Sequence, residues 1–253
     1  MTAYTFAALV VVSTLAAAWL GLHAQRLLPD RYTDEATKGS VKAVLAMLSV
    51  LVTVVLGFIT ADAKRSFDNA GKIVAETAVR LVLIDRMLAE LGEDADPIRR
   101  EMRQAAQEWV ARLNSLDGDV NPSVHVVQRV EQLEELFGKI KSLSPKSDAQ
   151  AKDRERAADL AAGILHDRWV LATGRLASTP TVFLLVVLAW LALEFFLFGV
   201  FAPRNACVTA AVVLASLTTA SAIFLLLDLE GPLTGPMRIS IEPLVRAVSI
   251  LGG

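Results

Sequence analysis

One cysteine, three histidines and a net charge of only −2 in 253 residues remove several functional classes at the outset. The single thiol, Cys207, excludes an intrachain disulfide. His23, His125 and His166 include no pair four residues apart and no zincin-type motif, so they make no metal site. No Gly-rich phosphate loop follows a strand, and no serine-nucleophile or Cys/His arrangement is visible. The expectation is therefore a protein with no enzymatic activity, no cofactor and no metal. The near-neutral balance argues against nucleic acid, whose binding needs a basic face. Asn121-Pro122-Ser123 is not a glycosylation site, because proline occupies the middle position.

Charge is also nearly missing from four long apolar runs, over residues 5–22, 41–61, 181–201 and 206–227. A hydrocarbon core of about 30 Å needs about 20 helical residues to span it. Each run meets that length, and the mean hydropathy of +0.48 is high for a soluble chain. The charge is segregated instead. Residues 62–180 carry 18 of the 25 Lys/Arg and 20 of the 27 Asp/Glu. The partner implied is the lipid bilayer: a polytopic membrane protein with a charged block between two membrane pairs. Met1-Thr-Ala-Tyr-Thr has no basic n-region, and the first run is long enough to remain as a span, which argues against a cleavable signal peptide.

The expected fold is all-α, with four transmembrane helices and a helical-bundle block. Residues 1–61 form the first hairpin (spans 5–22 and 41–61), 62–180 the bundle, 181–227 the second hairpin and 228–253 a short tail. Only Ala202-Pro203-Arg204-Asn205 joins the last two spans, which makes them antiparallel. Beyond the second span, Phe67, Ala70, Val74, Ala78, Leu81, Ile84, Leu88 and Leu91 recur at steps of three and four. No breaker interrupts them, so the span continues as one helix. Asp96 is the expected N-cap of the next helix, with Pro97 at its first position. That helix carries Ile98, Met102, Ala105, Trp109, Leu113 and Leu116 on one face. A third presents Val126, Val130, Leu133, Phe137 and Ile140, and a fourth turns Leu160, Ile164, Trp169 and Leu171 inward before a kink at Pro180. Ile239, Ile241 and Leu244 in the tail pack back on the protein or lie at the membrane surface.

With four spans, both termini and the block share one side. Lys64, Arg65, Lys72, Arg168, Arg175 and Arg238 flank the spans there, against Arg26, Arg31, Lys38, Lys42 and Arg204 on the other side. The positive-inside rule is nearly balanced, and the basic residues just after the first span favour the opposite orientation. The orientation adopted as the expectation is a cytoplasmic block.

Phe198-Gly199-Val200-Phe201-Ala202-Pro203-Arg204-Asn205-Ala206 resembles a signature segment of the bacterial bestrophin-like domain family. So does Asp228-Leu229-Glu230-Gly231-Pro232 with Gly235, Arg238-Ile239-Ser240 and Glu242-Pro243-Leu244. The resemblance covers essentially the whole chain and implies a multi-pass protein of the bacterial inner membrane. Leu56-Gly57-Phe58 followed by Phe67-Asp68 is similar to a pattern of true bestrophins, which are pentameric anion channels. Here the two parts stand about three residues further apart, nearly one helical turn. No acidic cluster like the calcium site of animal bestrophins is apparent. The resemblance carries the channel neck onto Val50, Val54 and Phe58, and it implies a homo-oligomer, a pentamer, passing inorganic ions.

Spacing of four puts Val50, Val54 and Phe58 on one helix face, where several subunits would form an apolar constriction. Asp62, Lys64, Arg65 and Asp68 follow as candidate vestibule charges. Apolar residues on a span more often face lipid or pack, and charges after a span more often anchor it at the interface. Glu194 is the one ionisable residue well inside a span, ~10 Å from its Phe201 end. It either meets a partner or wet cavity, as a cation or proton site, or is a protonated or snorkelling acid. The bestrophin-like pattern has an apolar residue there. Ala211, Ala215 and Thr219, with Ser216, Thr218 and Ser221, allow close helix approach in the fourth span or line a hydrophilic path. Two functions stay open. One is a homo-oligomeric anion channel with the second span lining the pore. The other is a non-conducting interaction or sensor protein acting through its helical block.

Overall fold

The computed structural model describes residues 3–27, 29, 35–115, 133–172, 181–231 and 236–251. The described residues are helical, with no strand among them. In chain order the helices are α1 (Ala3–Ala24), α2 (Glu35–Glu90), α3 (Asp96–Ser115), α4 (residues 133–142), α5 (Asp148–Ala172), α6 (Thr181–Phe201), α7 (Ala206–Leu229) and α8 (Glu242–Ile250). Four of them, α1, α2, α6 and α7, are long and apolar enough to cross a membrane. The chain divides into two compact units, Met1–Lys64 with Thr179–Glu230 and Arg65–Ser178 with Gly231–Gly253.

In the first unit α1 packs most extensively against α6 and then α7. The close approach comes from two glycines. A Cβ on Gly21 would overlap the carbonyl oxygen of Phe196 and lie 2.9 Å from Val200 N; one on Gly199 would overlap Ala18 O and lie 3.1 Å from Leu22 N. With Ala17 and Ala18 also buried, small residues let the two backbones touch. On the α7 side, the Thr14 and Ser216 hydroxyls share a hydrogen bond of 2.7 Å, both fully buried. The unit's apolar cluster draws Phe6 and Val10 from α1, Val52 and Ile59 from α2, Leu184, Val187 and Leu191 from α6, and Ala220, Ile223 and Leu226 from α7. The α6–α7 turn is closed by Asn205, whose side-chain oxygen accepts from Val208 N at 2.8 Å as the N-cap of α7.

The second unit is a helical bundle. The stripe expected beyond the second span is its spine: Ala70, Val74, Ala78, Leu81, Ile84, Leu88 and Leu91 are all buried. They pack with Ile98, Met102 and Ala106 of α3, Leu136, Phe137 and Ile140 of α4, and Ala157, Ala161 and Ile164 of α5. The C-terminal segment takes the first of its two expected courses. Ile239, Leu244, Ala247 and Leu251 join the same core. The helix α2 ends at Gly92, whose positive φ of 83° suits a residue without a Cβ, and the Gln150 amide donates to Glu90 O at 3.0 Å.

Three local expectations are corrected. Asp96 is not an extended N-cap. A 3-10 turn over Glu93–Ala95 runs directly into α3, and Asp96 already has helical φ −58° and ψ −38°. On α3 the buried small residue is Ala106 and not Ala105, which is only half-buried. Trp169 does not turn inward. The inward line of α5 is Ala157, Ala161, Ile164 and then Arg168, whose guanidinium lies 3.6 Å over the Trp109 ring, so Trp169, one residue on, is exposed. Arg168 therefore packs within the bundle and is no simple flanking charge. The expectations for Leu116, Val126, Val130 and the Pro180 kink lie outside the described residues, as does the side chain of Leu171.

An ion pair between a half-buried arginine and a buried aspartate ties α3 to α2. Arg99 donates to both oxygens of the buried Asp85, Nε to Oδ1 at 2.8 Å and Nη2 to Oδ2 at 3.1 Å. The hydrogen bond to Asp85 holds the Arg99 guanidinium above its ordinary range, with the nearby charges of Asp85 and Asp96 adding to it. Arg80 also pairs with Asp167 of α5. It reaches that residue across Gly163, where a Cβ would stand 3.1 Å from Nη1.

Candidate apolar face and charged rim of helix α2

Helix α2 runs unbroken for 56 residues, about 84 Å at 1.5 Å per residue, and has two unlike faces. Toward the rest of the chain it buries Val52, Ile59, Ala63, Ser66 and Ala70, at steps of three to seven. On the other side Val50 is 64% exposed, Val54 49% and Phe58 73%, against 4% for Val52 and 8% for Ile59. Only 11% of its membrane-length window is buried, the least of the four spans. Burial of an apolar side chain is worth about 1.5–3 kcal/mol. An isolated protomer in water would leave that stabilisation unrealised along the whole stripe, so the face belongs against lipid or another protein surface.

The charged candidates continue this helix. Asp62, Lys64, Arg65 and Asp68 are all exposed. Eighteen residues are about five turns, so Asp68 returns to the line of Val50. Arg65 falls between the lines of Val50 and Phe58, Lys64 just to one side, and Asp62 further round beyond Phe58. By helical periodicity the apolar stripe and three of the four charges thus recur at like positions along the α2 sequence.

Glu194 has a partner. The Ser49 hydroxyl on α2 donates to its carboxylate on α6. Sequence reasoning missed Ser49, although a hydroxyl in an otherwise apolar run was the available signal. Two more hydroxyls of α2 are satisfied within the helix, Thr53 donating to Ser49 O at 2.7 Å and Thr60 to Leu56 O at 2.8 Å. Of the other titratable candidates, the His23 Nδ1–H donates to Trp19 O at 2.9 Å, while His166 and Cys207 are exposed. His125 lies outside the described residues. No group of three or more His, Cys, Asp or Glu able to hold a metal occurs among the described residues.

Comparison with known proteins places this architecture. The bestrophin-like domain profile matches residues 9–244. No curated protein matches the sequence. Among solved structures, one point variant of a bacterial bestrophin homologue from Klebsiella pneumoniae superposes with a TM-score of 0.69 at 15% identity, covering 99% of this chain and 97% of that one. A second variant of that homologue gives 0.63 at 16% identity, over 96% and 97%. A crystal structure described as a membrane protein gives 0.62 at 15% identity, over 96% and 99%. At such identities the likeness is one of fold, and it extends over the spans, the bundle and the C-terminal helix together. With the profile running through nearly all of its length, this four-span, all-helical chain belongs to the bestrophin-like domain family.

Proposed function

We propose that the chain is one subunit of a homo-oligomeric, anion-conducting channel in which copies of α2 surround the ion path. The observation that carries this reading is the face the protomer leaves over, with Val50, Val54 and Phe58 exposed and Val52 and Ile59 buried behind them. Rings of these three side chains form an apolar neck that gates by dewetting, because a narrow apolar bore holds water poorly. Asp62, Lys64, Arg65 and Asp68 form charged rings beyond the neck, and low-dielectric walls focus their field on a passing ion. A four-span protomer has little room for an aqueous path of its own, so the reading requires several copies, five by the bestrophin resemblance. The assembly is read as lying in the inner membrane of a bacterium with the bundle cytoplasmic.

Planar-bilayer recording of the purified protein in asymmetric potassium chloride tests this. Discrete currents reversing near the chloride potential support it, and reversal near the potassium potential rejects the anion selectivity. A monomer as the sole species in mild detergent and in nanodiscs would remove the channel altogether.

A second reading, a non-conducting sensor working through the helical block, draws on a cavity of about 440 Å³ in the bundle, lined among others by Trp109, Glu108, Arg112 and Arg168. Absence of ion flux together with one stoichiometric partner in proximity labelling would favour it.

A further inference from the structure

Where α1 ends beside the α6–α7 turn, a cleft of about 570 Å³ is open to the surroundings. Its walls are apolar, formed by Leu15 and Trp19 of α1 and Val212 and Val213 of α7. Its mouth is cationic, with the exposed Arg26 and Arg204, and His23 also lines the cleft. Among the described residues, no acidic side chain lines it.

The Arg204 guanidinium is oriented by neutral acceptors, Nη2 donating to Leu22 O at 2.6 Å and Nε to Gln25 Oε1 at 3.1 Å. Among the described residues of the cleft, no carboxylate cancels the charge so positioned. His23 packs on Trp19 with ring centroids 4.0 Å apart and the rings tilted by 43°, and its Nδ1–H is spent on Trp19 O. The N-terminus of α7 is already capped by Asn205, so recognition of an anion falls to the side chains of the mouth.

We propose that this cleft binds an anionic phospholipid, its phosphate at Arg26 and Arg204 and an acyl chain along Leu15, Trp19 and Val212. The two zones require an amphiphile: a free anion would leave the apolar wall unused, and a zwitterionic headgroup would set a choline or amine against two arginines. The cleft opens among helices of membrane-spanning length, where phospholipid is the abundant amphiphile. A basic residue near an anionic headgroup contributes roughly a fivefold preference. The proposal does not depend on whether the protein conducts.

The test is quenching of Trp19 by lipids brominated on the acyl chains, in full-length protein reconstituted in phosphatidylcholine. The Trp19 signal is the difference between the unsubstituted protein and W19F. Brominated phosphatidylglycerol is expected to reach half-maximal quenching at a mole fraction at least several-fold below that of brominated phosphatidylcholine. The R26Q/R204Q variant is expected to lose that preference. Because Arg204 also tethers the turn, R26Q alone is made in parallel and keeps that tether; it is expected to lose part of the preference. Superposable curves for the two lipids in the unsubstituted protein, or an undiminished preference in R26Q, would overturn the proposal.

Discussion

The hydroxyl of Ser49 donates to the carboxylate of Glu194, joining α2 to α6 inside the membrane-length part of both helices. An acid at such depth costs roughly 2.5–3.5 kcal/mol on the insertion scale, so the bond answers why Glu194 is tolerated in so apolar a helix. The two partners are not equivalent. S49A leaves the acid without its donor and is expected to lower stability by about 1–3 kcal/mol. E194L removes the costly group, while Ser49 can turn back to its own helix, so its effect is expected to stay below about 1 kcal/mol. Thermal unfolding of both variants and of S49A/E194L checks this; additive losses would show that the bond carries no coupling.

Gly21 and Gly199 predict a steric result. Alanine at either drives a methyl group into a backbone carbonyl or amide of the neighbouring helix, which cannot swing aside as a side chain can. The expected loss is about 1–3 kcal/mol or more for each. Gly39, with nothing within 4 Å of its would-be Cβ, serves as the control and is expected to gain slightly from alanine. Melting temperatures in one detergent compare the three.

The buried Asp85 and the half-buried Arg99 make a pair in which removing one partner is far worse than removing both. R99M takes the bidentate partner away from a buried carboxylate and is expected to cost up to about 3–5 kcal/mol, whereas D85L/R99M is expected to be close to neutral. The pair also fixes a pH dependence. A guanidinium held above its ordinary range contributes stability that is fully present below that range and is lost only as pH rises through the raised value. Its contribution should therefore be flat from neutral to mildly alkaline pH, so the difference in melting temperature between the unsubstituted protein and R99M tests both statements at pH 7 and pH 9.

The proposed apolar neck makes two predictions in single-channel recording. F58A, which widens and softens the constriction, is expected to raise open probability several-fold, while V52A, on the buried face, is expected to lower stability without changing the current. K64E/R65E reverses two exposed charges and is expected to move the reversal potential toward the potassium potential. Currents in which F58A and V52A behave alike would remove α2 from the path.

Properties carried by local stretches of chain were legible in the sequence. The span from Thr181 to Phe201 is recognised by length and hydropathy alone, and the stripe from Ala70 to Leu91 by its period. Neither needs knowledge of a neighbour, because a helix satisfies its own backbone and apolar spacing sets which face turns inward. What remained for the tertiary structure were pairings between residues on different helices: Ser49 with Glu194, Thr14 with Ser216, Gly21 against Gly199 and Asp85 with Arg99. Each member looks ordinary in its own helix and acquires meaning only from the group opposite. The same reason explains the error at Trp169. Periodicity chose between adjacent residues by hydrophobicity, but the cation–π contact with Trp109 drew Arg168 inward and left the tryptophan outside.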